Sequence, residues 1–457
     1  FKQKTAYEIS LGLVGSEMCI RDSYITVLVN MLSIDLIRKD PDYVKNALRL
    51  RGEENSLEEI LDLDVRRRQG IAEGDDLRSQ RNSVSKKIGE LRGSGQDVPT
   101  GLVEDMRRVG DRISEIEQQV KTVELSIHEI LMALPNLPRP DVPQGLDEES
   151  NIVVRHWGEV VESKFEVIPH WDLGEQLGII DFERGVKLSG SRFYTLAGSG
   201  AKLERALIAW MLDLHSKEHG YREMMLPILV RRDIMEGSGN LPKFADNLYH
   251  DDEDDLWLVP TAEVPITNLH RDEILDYGAL PKYYVAHTPC FRREKAAAGR
   301  DTRGIKRVHQ FNKVEMYKFV TPETSDQELE QLLSNAEEVC QLLGLPYRIL
   351  QLCTGDMSFP SAKSFDIEVW ATGCKEWLEV SSCSNCTDFQ ARRANVRYRP
   401  EGSNRPDFVH TLNGSGLALP RVIIALLENY QQEDGTVIVP EVLRPYTGFS
   451  LITPELK

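Results

Sequence analysis

The longest regular pattern of apolar positions in the chain lies between residues 102 and 130. Apolar side chains recur there at alternating spacings of four and three residues, which is typical of a helix that packs along one seam of a coiled coil. The positions are Leu102, Met106, Val109, Ile113, Ile116, Val120, Val123, Ile127 and Ile130. The pattern predicts a helix over residues 102–131 that is about 45 Å long at 1.5 Å per residue.

A weaker pattern precedes this helix and predicts an antiparallel partner. Its seam consists of Ile60, Leu63, Leu77, Val84, Ile88 and Leu91. Gly70 and Gly74 fall on core positions of this seam, and Arg67 and Arg81 interrupt it. We therefore expect the pair to loosen or bend partway along. Residues 93–101 contain the glycines and the proline that suit the turn. Such a hairpin is predicted to be an arm that reaches a distant partner, with a dimerisation coiled coil as the alternative.

Cap and turn signals divide the rest of the chain. Asp40, Pro41 and Gly52 predict a short helix before the arm. Residues 135–149, rich in proline and polar side chains, are predicted to be a linker. We expect an arm domain over residues 31–137 and a second domain over 138–457. Residues 1–30 have neither helical nor strand periodicity and are predicted to be a leader that is not native, the alternative being a poorly ordered natural extension.

The charge balance limits which partners the arm can have, because acidic residues outnumber basic ones by 73 to 55 and give a net charge of −18. This balance disfavours a generic nucleic-acid binder, so any RNA contact must use local patches. The arm offers basic residues for phosphates, although they are interleaved with acids. They are Arg66, Arg67, Arg68, Lys86, Lys87, Arg92, Arg107, Arg108 and Arg112.

The apolar runs and the cysteines of the sequence limit the class of protein and its expected compartment. No apolar run approaches the roughly 20 residues of a membrane span, so no membrane partner is expected. The 7 cysteines show no disulfide-rich spacing, which favours a reducing compartment, and we expect a cytoplasmic location. Cys383 and Cys386 form a CxxC with only Cys374 nearby, which is a weak candidate for a metal or redox site.

Three segments of the second domain carry motifs. HGYREMMLPILV surrounds Pro227, PCFRREKAAAGRDTRGIKRVHQFNKVE covers residues 289–315, and HTLNGSGLALPRVIIALLEN covers residues 410–429. In this order they resemble motifs 1, 2 and 3 of the class II aminoacyl-tRNA synthetases. The TAE triplet at residues 261–263, the SSCSN run at residues 381–385 and the arm narrow the resemblance to the seryl-tRNA synthetases.

The resemblance implies an α+β fold, in which an antiparallel sheet is flanked by helices and preceded by an antiparallel α-helical coiled-coil arm. Motif 1 would form a homodimer interface, motif 2 two strands joined by a long loop, and motif 3 a strand that leads into a helix. The implied activity is the ATP-dependent activation of L-serine to seryl-adenylate and its transfer to the 3' end of tRNA(Ser), and also of tRNA(Sec).

The resemblance also implies roles for individual residues. The candidate catalytic residues are Arg292, which would bridge the serine carboxylate and the α-phosphate, Glu294, which would orient the adenine, and Arg421, which would hold the γ-phosphate. The implied serine-binding residues are Thr261, Ala262, Glu263, Arg292, Glu315 and Ser415. The implied ATP-binding residues are Arg292, Arg293, Glu294, Val308, Glu379, Val380, Ser381, Ser382 and Arg421. Glu379 and Ser382 would hold Mg²⁺ through ATP, since an all-oxygen set is what this ion prefers.

The chemistry explains these residue types. The serine carboxylate and the α-phosphate are both anions, so the protein must supply fixed positive charge, and a planar guanidinium can contact both. Simpler interpretations stay open for single residues. Glu315 is alternatively a structural carboxylate paired with Arg292 or Arg307, Ser415 a turn residue, and Arg421 a surface arginine.

Two other functions stay open for the whole chain. One is a ligase that charges a carrier protein, against which the arm argues. The other is a catalytically inactive tRNA-binding relative, against which the retained charged residues of the motifs argue. The alanine-rich loop after Glu294 leaves the closure of that loop over ATP open.

Overall fold

The computed structural model describes residues 32–53, 57–295 and 303–454. The predicted leader and most of the alanine-rich loop of motif 2 lie outside the described residues. The chain divides into two compact units, of which the first ends at Leu134 and the second begins at Pro135 and also takes in Leu50–Gly52. Within the described part, no helix is long and apolar enough to cross a membrane.

The first unit is helical, and its predicted hairpin is confirmed. Its helices are α1 (Ile34–Lys39), α2 (Pro41–Leu50), α3 (Leu57–Gly93) and α4 (Thr100–Ala133). Asp40 caps α2 as predicted, since its Oδ1 accepts a hydrogen bond from the Tyr43 amide at 3.1 Å. With 34 residues, α4 is about 51 Å long.

The seam of the hairpin is well buried away from the turn and less so near it. Ile113, Ile116 and Ile127 are buried, whereas Leu102 and Met106 are partly exposed. The loosening predicted from the glycines is wrong at Gly70, which lies inside one unbroken helix. A Cβ atom on Gly70 would come within 2.7 Å of Val120 Cγ2, so the missing side chain allows a close helix contact.

Charges are paired in one part of the arm and unpaired in another. Asp64 is only 1% exposed and accepts hydrogen bonds from Arg38 and Arg68 at 3.0 and 2.9 Å, with Arg67 at 3.2 Å. Near the turn, by contrast, four cations form no ion pair with any described residue. They are Lys86, Lys87, Arg92 and Arg107.

The second unit contains many short strands and several helices. Its strands are β1 (Ile152–Trp157), β2 (Ile180–Asp181), β3 (Thr195–Leu196), β4 (Arg222–Met224), β5 (Leu229–Arg231), β6 (His250–Asp251), β7 (Leu256–Leu258), β8 (Ile274–Leu275), β9 (Lys282–Phe291), β10 (Gln310–Val320), β11 (Tyr347–Gln351), β12 (Lys363–Ala371), β13 (Glu376–Asn385), β14 (Arg397–Tyr398), β15 (Asp407–Phe408), β16 (His410–Ala418), β17 (Val437–Ile438) and β18 (Leu451–Ile452). Its helices are α5 (His170–Gln176), α6 (Phe182–Ser189), α7 (Gly198–Lys217), α8 (Arg232–Ser238), α9 (Glu263–Thr267), α10 (Ser325–Leu342), α11 (Phe389–Ala394), α12 (Leu419–Asn429) and α13 (Arg444–Thr447).

One large sheet organises this unit, in the strand order β1-β11-β12-β13-β16-β10-β9-β4. All neighbours are antiparallel except β4 and β9, which pair in parallel. Leu332 of α10, Leu207 of α7 and Ile424 of α12 belong to the same buried apolar cluster as residues of the sheet. The predicted α+β fold is therefore confirmed, with helices packed against an antiparallel sheet.

The three motifs take the expected secondary structures, with one difference. The second motif is the antiparallel pair β9 and β10, and the third is β16 followed directly by α12. The β-rich run at residues 223–231 predicts one strand, but the structure has two short strands there, β4 and β5. Proline has no amide hydrogen for a ladder, so it interrupts the strand.

The linker predicted over residues 135–149 is wrong for its first part. Asn136 is buried, and its side-chain amide donates hydrogen bonds to the carbonyl oxygens of Pro360 and Cys386, both at 2.8 Å. Leu137 is buried as well. Proline-rich composition indicated an extended chain, but it did not reveal that this extended chain packs against the rest of the second unit.

Candidate active site

A cavity of about 320 Å³ lies in the second unit, over β10, β13 and β16 of the large sheet. Most of the residues that the motifs singled out line it, although they are up to 160 positions apart in the sequence. The sequence-predicted residues on its wall are Thr261, Glu263, Arg292, Glu294, Val308, Glu315, Glu379, Val380, Ser382, Ser415 and Arg421.

Three sequence-predicted residues do not line this cavity. Ala262 is fully buried in an apolar cluster beside the sheet. Arg293 lies over the ring of Tyr249 at 4.6 Å, and its Nε donates to the carbonyl of Leu248 at 2.7 Å. Ser381 is buried below the wall, where its hydroxyl donates to the backbone carbonyl of Ser415 at 2.6 Å.

Two β-bulges bring the polar side chains of the sheet to the same face. In a regular strand, residues an odd number apart face opposite sides, so Glu379 and Ser382 should not share a cavity. The pairing of β12 with β13 shifts at Val380, which is the extra residue of a bulge. A second shift, between β10 and β16, leaves Gly416 as the extra residue, and Leu417 after it has φ 141°.

The acidic end of the cavity is built around Glu315, which is 1% exposed. Its carboxylate accepts a hydrogen bond from the Thr261 hydroxyl at 2.8 Å and contacts the ammonium group of Lys313. Glu315 is therefore paired with Lys313, and not with Arg292 or Arg307 as the structural interpretation expected. Ser415 lies opposite Glu315 in the register of β10 and β16.

Glu263 is the second carboxylate of this end. Its Oε1 accepts hydrogen bonds from Gln390 at 2.6 Å and from Asn413 at 3.1 Å. The residue keeps some exposed surface, yet protein atoms surround the carboxylate. This desolvation, together with the charge of Glu315, raises the pKa of Glu263 to about 7.

The other end of the cavity is rich in cations. Arg421 donates to the carbonyl of Glu379 at 2.6 Å and forms an ion pair with its carboxylate at 3.3 Å. The Glu379 side chain is 45% exposed, yet nearby protein atoms partly desolvate its carboxylate; Arg421 outweighs this desolvation and lowers the pKa of this carboxyl. Arg307 lies 3.5 Å from the carboxylate of Glu294. Arg292 packs over the ring of Phe311 at 5.2 Å, with Nε directed to the carbonyl of Pro260.

The backbone of Glu294 is in the left-handed region, with φ 48°. Arg192, which has φ 61°, donates from Nη1 to the Glu294 carbonyl at 3.1 Å, and its own carbonyl accepts from the amide of His309. Non-glycine residues adopt this conformation at a cost, and such residues cluster at functional sites. Arg192 thus helps to fix the direction of the Glu294 side chain.

Sequence reasoning missed several residues of the wall. They are Lys306, Arg307, Phe311, Lys313, Ser358, Ser384, Asn413, Ala418 and Pro420. Strand alternation could have found Phe311 and Lys313, which precede Glu315 by four and two positions, and likewise Asn413 and Ser384. No local signal marks Ser358, which lies in a loop.

The CxxC cysteines are buried free thiols away from the cavity wall. Cys383 belongs to the apolar core, and Asn413 donates to Cys386 Sγ at 3.3 Å. Cys374 lies elsewhere, where its Sγ donates to Glu428 at 3.0 Å. Among the described residues, these three cysteines do not form one metal site.

Comparison with known proteins supports the same reading of both units. Residues 31–138 match the family model of the seryl-tRNA synthetase N-terminal domain, and residues 244–430 match that of the class II tRNA synthetase core domain (G, H, P, S and T). The serine–tRNA ligase of Thermomicrobium roseum is 61% identical over 418 residues, which are 92% of this chain and 94% of that protein. The serine–tRNA ligase of a Roseiflexus species is 59% identical over 419 residues, which are 92% of this chain and 98% of that protein.

Solved structures agree with these relatives. The crystal structure of seryl-tRNA synthetase from Pyrococcus horikoshii complexed with ATP has a TM-score of 0.87 at 42% identity, and the match covers 93% of this chain and 100% of that chain. Family models, relatives and fold therefore lead to one assignment. The chain belongs to the seryl-tRNA synthetases, the serine–tRNA ligases of class II.

Proposed function

We propose that the cavity binds L-serine at its acidic end and ATP at its cation-rich end. One observation carries this assignment, namely that a single cavity holds Glu263 and Glu315 at one end and, at the other, Arg421 and Arg307 beside Glu379 and Glu294. The ammonium and hydroxyl groups of serine need acceptors, which Glu263 and Glu315 supply. The carboxylate of serine and the phosphates of ATP need donors, which Arg292 and Arg421 supply.

Activation then follows from position and charge. The serine carboxylate attacks the α-phosphorus of ATP, and negative charge accumulates on the phosphoryl oxygens before pyrophosphate leaves. Arg292, at the junction of the two ends, contacts the carboxylate and the α-phosphate and stabilises this charge. Arg421 holds the γ-phosphate and Glu294 the adenine, so that ATP lies with its α-phosphate towards serine.

Selectivity for serine has two sources in this proposal. Glu315, Thr261 and Ser415 surround the site for the substrate hydroxyl, and their buried groups would lose partners if alanine were bound. A site built in this way can reject the analogue without the hydroxyl by roughly 10⁴-fold. Threonine carries the hydroxyl, so only the fixed volume between β10 and β16 excludes it. One extra methyl group in a pocket usually changes the free energy of binding by only about 1–3 kcal/mol.

The donor set also fits Mg²⁺ bound together with ATP. Glu379 and Ser382 present oxygen ligands to the cavity, and Asp366 pairs with Ser382 in the register of β12 and β13. The Oδ1 of Asp366 is buried without a hydrogen-bond partner among the described residues. When bound, the ion neutralises phosphate charge, and Glu379 and Ser382 are the residues that would hold it.

The second half-reaction needs the 3' end of a tRNA beside the adenylate. A second cavity of about 580 Å³ adjoins the first and shares Thr261, Glu263, Arg292 and Glu294 with it. We assign this opening to the terminal nucleotide. The ribose hydroxyl of that nucleotide attacks the carbonyl carbon of the adenylate, and AMP leaves. Positioning supplies most of this step.

We assign tRNA binding to the predicted arm domain, residues 31–137, and catalysis to the predicted catalytic domain, residues 138–457. The unpaired cations near the turn, such as Lys86 and Arg107, are suited to the phosphates of an RNA stem. The expected substrates are tRNA(Ser) and also tRNA(Sec). The fold is shared with M. kandleri SerRS, which has been crystallised in complex with A. aeolicus tRNASec; the TM-score is 0.55 at 18% identity.

A homodimer and a cytoplasmic location complete the proposal. Met225, between β4 and β5 in motif 1, is 98% exposed, and Leu229 beside it is 48% exposed. Large apolar side chains with this exposure are typical of a surface that a partner covers. The free cysteines of the described chain suit a reducing compartment.

Serine-dependent exchange of pyrophosphate into ATP tests the first half-reaction, with alanine, threonine and cysteine as competitors. Charging of total tRNA with labelled serine tests the second. Exchange with serine and retention of label on tRNA are the expected results. Exchange without charging would favour a carrier-protein ligase, and no exchange with any amino acid would favour a non-catalytic tRNA binder.

A further inference from the structure

A buried cluster of His170, Cys374 and Glu428 lies outside the cavity, at the point where the chain returns from the motif 2 loop. His170 and Glu428 are 0% and 1% exposed. His170 Nδ1, Cys374 Sγ and a carboxylate oxygen of Glu428 all lie within 4.8 Å of one another. These residue types can bind zinc, so the first question is what occupies their polar atoms.

Hydrogen bonds satisfy the Glu428 carboxylate completely. Oε1 accepts from the backbone amide and the ring Nδ1–H of His170 at 3.0 and 2.9 Å, and from the Cys374 thiol at 3.0 Å. Oε2 accepts from the amides of Gly373 and Cys374, both at 2.9 Å. Burial opposes its ionisation, but the donors, led by His170, outweigh burial and lower the pKa of Glu428.

In this arrangement the Cys374 thiol donates its hydrogen to Glu428. Burial and the hydrogen bond to Glu428 raise the pKa of Cys374. A metal-bound cysteine must be a thiolate and a metal-bound histidine needs a free nitrogen. With Nδ1–H directed to Glu428, this cluster is a complete hydrogen-bonded unit without an ion.

The tautomer of His170 follows from this arrangement. Because Nδ1 carries the hydrogen, Nε2 is an acceptor, and the amide of Ile305 donates to it at 3.2 Å. Gly304 has φ 72°, and a Cβ atom there would lie 2.0 Å from Nε2. Only glycine therefore permits this close approach of the loop to the ring.

The anchored amide is one residue away from the cavity wall. Lys306, Arg307 and Val308, directly after Ile305, all line the cavity. The Lys306 backbone carbonyl lies 3.5 Å from Arg421 Nε, and its side chain contacts Glu376. The ring of Trp171, next to His170, lies under the guanidinium of Arg303 at 4.5 Å. Residues 170 and 171 thus pack against residues 303–306 and support this part of the loop.

We propose that His170 is a positioning residue for the ATP end of the cavity, acting through the Ile305 amide on Lys306, Arg307 and Val308. Glu428 fixes the tautomer that makes Nε2 an acceptor. The inference rests on the assignment of that end to ATP. It adds a function for a histidine that lies 119 positions before the first residue of motif 2, and the same contact leaves the serine end of the cavity untouched.

Two substitutions test the roles of the two ring nitrogens of His170 separately. In His170→Asn, the amide takes the place of Nδ1 and still donates to Glu428, but it is too short to reach Ile305. In His170→Gln, the amide oxygen takes the place of Nε2 and still accepts from Ile305. His156→Asn, on the exposed strand β1, is the matched control.

The measurement is the KM for ATP and for serine in pyrophosphate exchange, together with hydrogen exchange at the Ile305 amide. For His170→Asn we expect the KM for ATP to rise about fivefold, the worth of one neutral hydrogen bond, while the KM for serine is retained. The Ile305 amide should exchange faster. His170→Gln should restore most of both values, and His156→Asn should match the unmodified chain.

Several results would overturn the inference. Equal rises in both KM values, or a lower melting temperature with unchanged KM values, would leave His170 with a structural role only. Equal impairment of both variants would exclude the Nε2 acceptor, and stoichiometric zinc in the purified protein would make the cluster a metal site. If the unmodified chain showed no serine-dependent exchange, the proposed function would fail instead.

Discussion

The arm and the second unit use charged residues in opposite ways. In the cavity, Glu315 is buried and Arg421 is 19% exposed, and both have partners at fixed distances. Near the turn of the arm, Lys86 and Lys87 are exposed and have no ion-pair partner among the described residues. A charge in a preorganised, water-poor site acts strongly at short range, whereas salt screens an exposed charge within about 8–10 Å. Substitutions should therefore have large, salt-insensitive effects in the cavity and small, salt-sensitive effects on the arm.

The largest expected effect is that of Arg292→Ala. Removal of the guanidinium takes away the donor at the junction of the two ends, and the rate of pyrophosphate exchange should fall about 10²- to 10³-fold. Arg292→Lys should recover little, because an ammonium group cannot contact two anions in a plane. The control is Arg405→Ala, in an exposed loop. A loss below tenfold, or a loss that depends on salt, would break the contrast between the units.

The next effect concerns pH and Glu263. Its pKa is raised from 4.5 to about 7, so its carboxyl is protonated below that pH and cannot attract the serine ammonium group. The KM for serine should rise as pH falls below about 7, and Glu263→Gln should have a high KM that no longer changes in this range. A serine KM of the unmodified chain that is flat from pH 6 to 8 would contradict the assignment.

The same shift has a consequence for stability. Between pH 4.5 and about 7, the folded protein retains a proton that the unfolded chain has released. Glu263 therefore destabilises the ligand-free protein progressively as pH rises through this window. The melting temperature of Glu263→Gln, relative to the unmodified chain, should increase over the same range.

A smaller effect is expected for Lys86→Ala combined with Lys87→Ala. Each lysine that contacts a phosphate should contribute about one unit to the slope of log affinity against log salt, so the double variant should lower that slope by up to about two. Filter binding of tRNA at several salt concentrations measures it. Exchange without tRNA should be unaffected. The matched control is Arg108→Ala, whose cation is already paired with Asp105.

The smallest effect tests the packing of the arm. Gly70→Ala would place a Cβ atom 2.7 Å from Val120, whereas Gly110→Ala, in the other helix, meets no atom within 4 Å. Overpacking costs about 1–3 kcal/mol, and a glycine-to-alanine change in an open helix position gains about 1 kcal/mol. The first variant should therefore unfold at a lower temperature and the second at a higher one. Stabilisation by both would mean that the helices are loose at Gly70.

The sequence predicted the arm better than the cavity, for a physical reason. A seam such as Ile113 to Ile127 is a local pattern, because every member lies on one face of one helix. The pairing of Glu315 with Lys313 lies within β10 and follows from strand alternation, whereas the hydrogen bond between Glu315 and Thr261 joins two distant segments and could not be read from either one. Motif resemblance supplied most residues of the wall, but not the loop residue Ser358 or the docking of Asn136.

Residues whose role was predicted wrongly or not at all show the same limit of reading single segments. Arg293 follows Arg292 directly, and nothing in the sequence tells that its side chain packs on Tyr249 instead of lining the cavity. Likewise, His170 has no neighbour in sequence that marks it. Its partners, Ile305 and Glu428, come from the motif 2 loop and from α12.

The bulge at Val380 has a consequence for insertions and deletions. A regular pairing of β13 at unchanged length, without the bulge, would leave its composition unchanged, yet strict alternation would exchange the two faces of the strand on one side of Val380. Either Glu379 would enter the apolar core or Ser382 would be replaced on the cavity wall by Cys383. Deletion of Val380 itself would instead leave Glu379 and Ser382 two positions apart and on the same face, whereas a redesign of β13 as an ideal strand of unchanged length would remove the site while it preserved the fold.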